Sequence, residues 1–253
     1  MSDNKNSRSD LHKKIDELSE RELDVVGRFV NAVTRPVDIE PLPLTWLATE
    51  EWRETFAILL KLHHANSEKP LATTPFEAAF TRACEEAGWH VGQTGSATQR
   101  FYDATLSKGR DPERRLSLKT SSAKNVRPNV IEISKLTEAA WIQDVRKQAD
   151  RRGSIVDIFR QYREETSAIF MLRCFNNPEY SFFYELVEIP TSIFNEVDKL
   201  TIRQAQEGTI NLPPGSSSRE RDFGIGIDGS DSKIKLTGIR LEICIVHGRW
   251  GLK

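Results

Sequence analysis

Net charge is almost absent from this chain of 253 residues: 36 Lys and Arg stand against 37 Asp and Glu, a formal net charge of −1. That balance excludes a protein that coats nucleic acid through a global basic field, while leaving room for a local basic cleft. Cysteine is scarce, with only Cys84, Cys174 and Cys244, all in apolar surroundings. An odd, scattered set gives neither a disulfide framework nor a CxxC metal site, so buried thiols in a reducing compartment are expected. No stretch approaches the roughly 20 apolar residues that a helix needs to cross a bilayer. The opening M-S-D-N-K-N-S-R-S-D lacks the apolar core of a signal peptide. The expected location is therefore the cytoplasm, with no membrane partner. Internal repeats and low-complexity tracts are missing too, which excludes solenoids and tails of biased composition.

What is present is ordinary for a globular protein, 38% hydrophobic and 29% charged, and long enough to bury a substantial core. Residues 1–10 are polar and read as disordered. Residues 11–70 read as a helical N-terminal part and residues 71–253 as the core of what is one compact domain overall. Apolar stripes predict helices over Leu11–Val33 and Thr45–His64. A third helix is expected from Thr74 to Gly88, with Thr74 as N-cap, Pro75 at the first position, Gly88 at the stop and Thr-x-x-Glu as a capping box ending in Glu77. The His63–His64 pair has no i, i+4 or CxxC partner and reads as helix-end or packing histidines. Asn129–Ser134 is a strand, expected beside the central strands in the same sheet. Lys135–Glu165 reads as a charged helix whose Arg151, Arg152, Arg160 and Arg163 lie on a solvated face. Ser167–Phe175 and Tyr180–Ile189 flank N-N-P-E and predict a hairpin. Thr191–Gln206 reads as a helix, Glu207–Gly229 as a long loop, and Lys233–Trp250 as the closing strands. The fold class expected is α/β, a mixed central sheet flanked by helices.

The chain is organised around Phe101–Asn125, read as two short strands joined by a polar loop. Leu116 and Leu118 alternate with Ser117 and Lys119, so one pair faces a core and the other faces away. Pairing of the strands brings Asp103 beside Lys119. An aspartate at a sheet rim is a hard oxygen ligand for Mg²⁺, the Leu118 carbonyl offers another oxygen, and a lysine there orients water or balances phosphate charge. That is the set for metal-assisted phosphodiester cleavage. The bland alternative, an exposed Asp and Lys on an edge hairpin, explains the same spacing. From Arg100 to Arg127 there are eight basic residues and three acidic ones, so positive charge gathers in this stretch.

L-K-T-S-S-A-K-N, the upstream F-E-A-A-F and H-H, and the downstream F-F-Y-E-L-V-E-I-P and L-E-I-C-I-V-H-G-R-W resemble, in the same order from about Leu59 to Trp250, the SmaI-like type II restriction endonucleases of the PD-(D/E)xK superfamily. The resemblance implies a restriction-endonuclease-like core and a Mg²⁺-dependent homodimer. It also implies double-stranded DNA cut at a short G·C-rich palindrome, CCCGGG, with a cognate DNA methyltransferase in the same cell. Asp103 and Lys119 take the catalytic positions. Tyr102 stands where proline usually precedes the aspartate, and Ser117 stands where the second acid usually sits, so the missing ligand has to come from elsewhere. Glu77 is favoured and Glu132 is the alternative. Lys124, Asn125 and Arg127, directly after the catalytic strand, are the first choices for DNA contact, followed by Arg110, Arg114 and Arg115. A repair or junction nuclease on the same fold, or a DNA-binding protein that has lost its chemistry, remain as alternatives.

Overall fold

Runs that are apolar on successive residues need cover on both faces, and Ala168–Leu172, A-I-F-M-L, is such a run. The computed structural model, which describes residues 3–93, 101–122, 126–143 and 148–253, places it at the centre of a sheet with a core on each side. The chain begins with α1 (Asp3–Asp16), α2 (Glu20–Thr34), the short β1 (Val37–Ile39), α3 (Glu50–His64) and α4 (Thr73–Glu86). Then come β2 (His90–Gln93), β3 (Ala104–Ser107), β4 (Arg114–Ser121), β5 (Val130–Glu138) and α5 (Gln148–Glu165). The remainder is β6 (Ala168–Asn177), β7 (Tyr180–Pro190), β8 (Thr209–Leu212), β9 (Phe223–Asp228), β10 (Lys233–Arg240) and β11 (Ile245–Leu252). One sheet has seven strands in the order β1-β11-β7-β6-β4-β3-β2, and a second has four in the order β5-β10-β9-β8. In the larger sheet β4 and β6 pair parallel and the other pairs are antiparallel, so the expected mixed sheet flanked by helices is present.

Strand alternation divides the two cores. Leu116, Leu118, Ala168, Phe170 and Leu172 face α3 and α4, where Trp52, Phe56, Phe76, Phe80 and Trp250 are wholly buried. Trp52 stacks on Phe56 at 5.1 Å and Phe56 meets Trp250 at 4.9 Å between centroids. Ile169, Met171, Val187 and Ile189 face the other way, against α5 and the smaller sheet. Arg173 lies on that second face, 1% exposed, and is held by Glu185 and by the carbonyls of Arg127, Pro128 and Val130.

Several expectations are corrected. The backbone is helical from Asp3, so the first ten residues are not simply a disordered tail; α1 is exposed over most of its described length, with Lys13 and Lys14 in its last turn, where cations complement the helix dipole. The single helix over Leu11–Val33 is two, because Ser19 and Glu22 form a capping box that starts α2 afresh. The second helix begins at Glu50, with Thr49 as its cap. β5 pairs with β10 in the smaller sheet instead of joining β4, and it runs on to Glu138. Of the predicted Lys135–Glu165 helix, the described residues show a strand to Glu138, a 3₁₀ turn at Ala140–Gln143 and then α5. The Thr191–Gln206 helix is replaced by 3₁₀ turns at Thr191–Lys199 and Gln204–Gln206. The Glu207–Gly229 loop contains β8 and β9, whose Ile210, Leu212, Phe223 and Ile225 fill the second core. On α5, Arg152 donates to the Leu200 carbonyl and Arg163 to that of Phe194 and to Asp198, so these two tie the helix to the 3₁₀ segment instead of facing water.

Two consequences are measurable. Phe80, fully buried among Trp52, Phe76 and Phe170, leaves a cavity when truncated, and Phe80→Ala should cost about 3–5 kcal/mol in urea unfolding. His64 stacks on Phe182 at 3.7 Å and its ring nitrogens meet Tyr184 Oη and the Ser67 carbonyl, which makes it a packing histidine. Burial pushes its pKa down from 6.5 to about 4. Between those values the unfolded chain binds a proton that the folded chain refuses, so stability should fall as pH drops from about 6.5 towards 4. The urea midpoint of His64→Gln should show a shallower dependence over that window.

Candidate active site

β3 begins only at Ala104, whereas β4 runs on past the point where β3 can pair with it: the register ends with Ala104 opposite Leu116. Asp103 fills the gap. Its N–H donates to the Leu116 carbonyl at 2.8 Å, and its Oδ2 accepts the Leu118 N–H at 2.6 Å, so a side chain replaces the ladder acceptor that a longer strand would supply. The Ser117 hydroxyl donates to the same Oδ2 at 3.3 Å. Lys119 Nζ forms an ion pair with it, also at 3.3 Å. The two charged side chains remain 33% (Asp103) and 24% (Lys119) exposed, wet enough to meet a ligand and dry enough for their charges to act on one another. The N–H and C=O of one strand residue leave on the same edge, so the Leu118 carbonyl leaves on the Asp103 side.

Glu77 arrives from the other side of the cleft. The capping box expected at Thr74–Glu77 does not form, because α4 starts earlier: Ala72 is the N-cap without a side-chain bond, Thr73 reaches across to Thr120 Oγ1 on β4 at 3.1 Å, and Pro75 sits in the first turn, where its missing N–H is harmless. Glu77, Thr74, Ala78 and Thr81 of α4 line a cleft of about 290 Å³ with Asp103, Ala104 and Leu118. Burial raises the pKa of Glu77; the Asp103 charge raises it further and Lys119 opposes both. Two carboxylates and a carbonyl edge facing one small cleft are hard oxygen donors in want of a cation. Among the described residues no group of three or more His, Cys, Asp or Glu side chains gathers for a metal, so a cation held here would need backbone oxygen or water as well.

The other predicted positions lie elsewhere. Glu132 is on β5, where its carboxylate accepts from Arg127 at 2.7 Å and from the Gly238 N–H at 3.1 Å. It lines a different cleft, about 410 Å³, between the end of β4 and the smaller sheet, with Thr120, Ser121, Ser122, Lys235 and Thr237. Lys124 and Asn125 lie outside the described residues. Arg114 and Arg115 begin β4, about 17 and 13 Å along the strand from Lys119 at 3.3 Å per residue. Both have internal partners: Arg114 lies over Trp46 at 4.3 Å and Arg115 pairs with Glu165 at 2.5 Å. Arg110 is exposed at the hairpin tip, next to Gly109, whose φ of +60° makes the turn. The basic tip and the acidic cleft are thus at opposite ends of one hairpin. Sequence reasoning passed over the Leu118 N–H and the Ser117 hydroxyl as supports for Asp103; the only hint was that Ser117 shares a face with Lys119.

A family model described as SmaI, type II site-specific deoxyribonuclease, matches residues 11–252. Among curated proteins, the type II restriction enzyme SmaI of Serratia marcescens is 29% identical over 210 residues, covering 79% of this chain and 79% of its own length. No solved structure matches.

The facing carboxylates repel when no cation is between them. Glu77→Gln should therefore raise the melting temperature measured with chelator by about 1–3 °C, the scale of a fraction of a kcal/mol in a domain of this size, and shrink any rise produced by an added divalent cation. Glu132→Gln should leave that cation response unchanged. Differential scanning calorimetry with and without the cation reads both.

Proposed function

The chain belongs to the SmaI family of type II site-specific deoxyribonucleases, and from that premise we propose that it hydrolyses one phosphodiester in each strand of the palindrome CCCGGG, with Mg²⁺ as its cofactor. The observation that carries the reading is that Asp103, ion-paired to Lys119, faces Glu77 across one cleft. Asp103, Glu77 and the Leu118 carbonyl would hold the ion. When bound, Mg²⁺ polarises the scissile phosphate and lowers the pKa of water.

The chain's own groups do the rest. The Leu118 N–H and Ser117 hydroxyl keep the Asp103 carboxylate from turning. Lys119, placed by its ion pair, orients the attacking water and offsets charge that grows on the phosphate in the transition state. Glu77 has its pKa raised, chiefly by burial, so its carboxylate takes up a proton more readily than an ordinary glutamate does. A twofold palindrome is met most economically by a C2 homodimer with one such cleft per strand.

For readout, guanine O6 and N7 want arginine and cytosine N4 wants an acceptor. Arg127, paired with Glu132 of the cleft beyond β4, is with Lys124 and Asn125, its neighbours in sequence, the first choice for DNA contact. Arg110 is exposed and able to touch a backbone phosphate, whereas Arg114 and Arg115 first have to leave Trp46 and Glu165. A nuclease of this kind works in the cytoplasm beside a methyltransferase that protects the same sites. Among the described residues no helix is long and apolar enough to cross a membrane.

Plasmid digestion with Mg²⁺ and end-sequencing of the fragments tests target and activity together: discrete fragments that end within CCCGGG are expected. Lys119→Ala should bind the same duplex in Ca²⁺ within a few-fold of the parent while cutting about 10²–10⁴-fold more slowly. Cutting at the parent rate would remove Lys119 from the mechanism.

A further inference from the structure

Tyr162 closes the inner turn of α5, on the stripe Ile155, Ile158, Phe159, Tyr162, and is 1% exposed. Its ring is wedged between Phe101 at 5.5 Å and Phe194 at 5.7 Å, both edge-on. Its hydroxyl is buried and makes no hydrogen bond of ordinary geometry. A polar group left so in a folded core is costly, and its survival calls for a reason. The reason lies on the next layer up. Ser117, 1% exposed, points from β4 to this side of the sheet, opposite Leu116 and Leu118. Burial pushes the Tyr162 phenol well above its usual range, while Ser117 beside it pulls the other way and the Asp103 charge reaches it as well. Ser117 in turn donates to Asp103 Oδ2, which leaves a serine lone pair for a donor from below.

The same helix end also fixes the backbone that leads to Asp103. Thr166 Oγ1 donates to the Phe101 carbonyl at 2.8 Å, and the Ser167 N–H donates to the Arg115 carbonyl at 2.7 Å. Tyr162 is thus braced against the segment that leads to Asp103 as well as against the strand that carries Ser117.

We propose that Tyr162 and Ser117 are positioning residues for the nuclease reaction: a two-hydroxyl relay in which the phenol donates to Ser117 Oγ and the serine donates to Asp103 Oδ2, anchoring that carboxylate from beneath the sheet. The upper link is present at 3.3 Å, and the lower one follows from the buried phenol that lies on the same side of β4 as Ser117 and beside it. A small hydroxyl at position 117 suits the relay, since an acid there would bury a third negative charge beside Asp103 and Glu77. The inference rests on the role given to Asp103 above.

Tyr162→Phe removes one oxygen and keeps the ring, and Ser117→Ala breaks the upper link. Each is expected to lower kcat about 10-fold, with KM for DNA unchanged within about twofold, and to weaken Mn²⁺ binding to the DNA-free protein by a similar factor. Electron paramagnetic resonance titration reads the Mn²⁺ binding. The Ser117→Ala/Tyr162→Phe double variant should be no worse than the worse single one, because both cut the same chain. Ser117→Thr, which keeps a hydroxyl, should restore most of the loss. Parent-like kcat and Mn²⁺ binding in Tyr162→Phe, or full additivity in the double variant, would overturn the relay. Asp103→Ala separates the two levels: if it still cuts, the functional reading itself falls; if it is inactive while Tyr162→Phe behaves as the parent, only the relay falls.

Discussion

A hydrogen-bond donor at a strand edge has to find an acceptor, and here that requirement builds the site. β4 outruns its neighbour β3, so the Leu118 N–H lies beyond the last paired residue, Ala104. An orphaned donor there would be expensive. The Asp103 carboxylate supplies the acceptor at 2.6 Å, and by doing so it is fixed beside Lys119 and Ser117. The group that completes the sheet is thus the group offered for chemistry. Its orientation is set by the ladder itself, a firmer mount than a loop provides.

Everything around β4 serves to keep that edge in place. Leu116 and Leu118 are locked into the aromatic core beneath α3 and α4, and Ser117 into the layer above α5. Only at Lys119 does the strand regain partial exposure. The approach of Glu77 adds a cost: a second carboxylate in a half-buried cleft raises its own pKa and repels the first. Function and stability pull in opposite directions at this point, as they do wherever like charges are gathered to receive a cation. The buried Arg173 and Glu185 pair at 3.0 Å, and Arg249 extends the pairing to Glu40, tying the segment after β4 to the far edge of the sheet.

Much of this was legible in the chain. The hairpin β6–β7 follows from two apolar runs around a turn. α3 and α4 follow from their stripes, and Gly88, at φ +80°, ends the second as expected. The Asp103–Lys119 pairing followed from alternation across two short strands, and the ion pair is there at 3.3 Å. Other readings failed for identifiable reasons. Asn129–Ser134 has the pattern of a strand, but pattern does not say which sheet a strand joins, and β5 found β10 instead. Glycine, proline and serine in Glu207–Gly229 outweighed the four apolar residues that make β8 and β9 two short, well-buried strands. Thr74 and Glu77 match a capping box perfectly well, yet Thr73 is drawn to Thr120 and the helix starts earlier.

What the sequence settled alone were local and periodic properties: the helices with clear apolar stripes, the β6–β7 hairpin and the two faces of β4. Its family likeness carried the chemistry. What only the tertiary structure decided were the meetings between segments far apart in the chain. Glu77 faces Asp103 while Glu132 is taken up by Arg127 and the Gly238 N–H; the basic hairpin tip points away from the acidic cleft; and Tyr162 comes to rest under Ser117. The physical reason is that periodicity fixes which side of an element a residue occupies, whereas the partner on that side is chosen by the packing of whole layers, a property no short window of sequence contains.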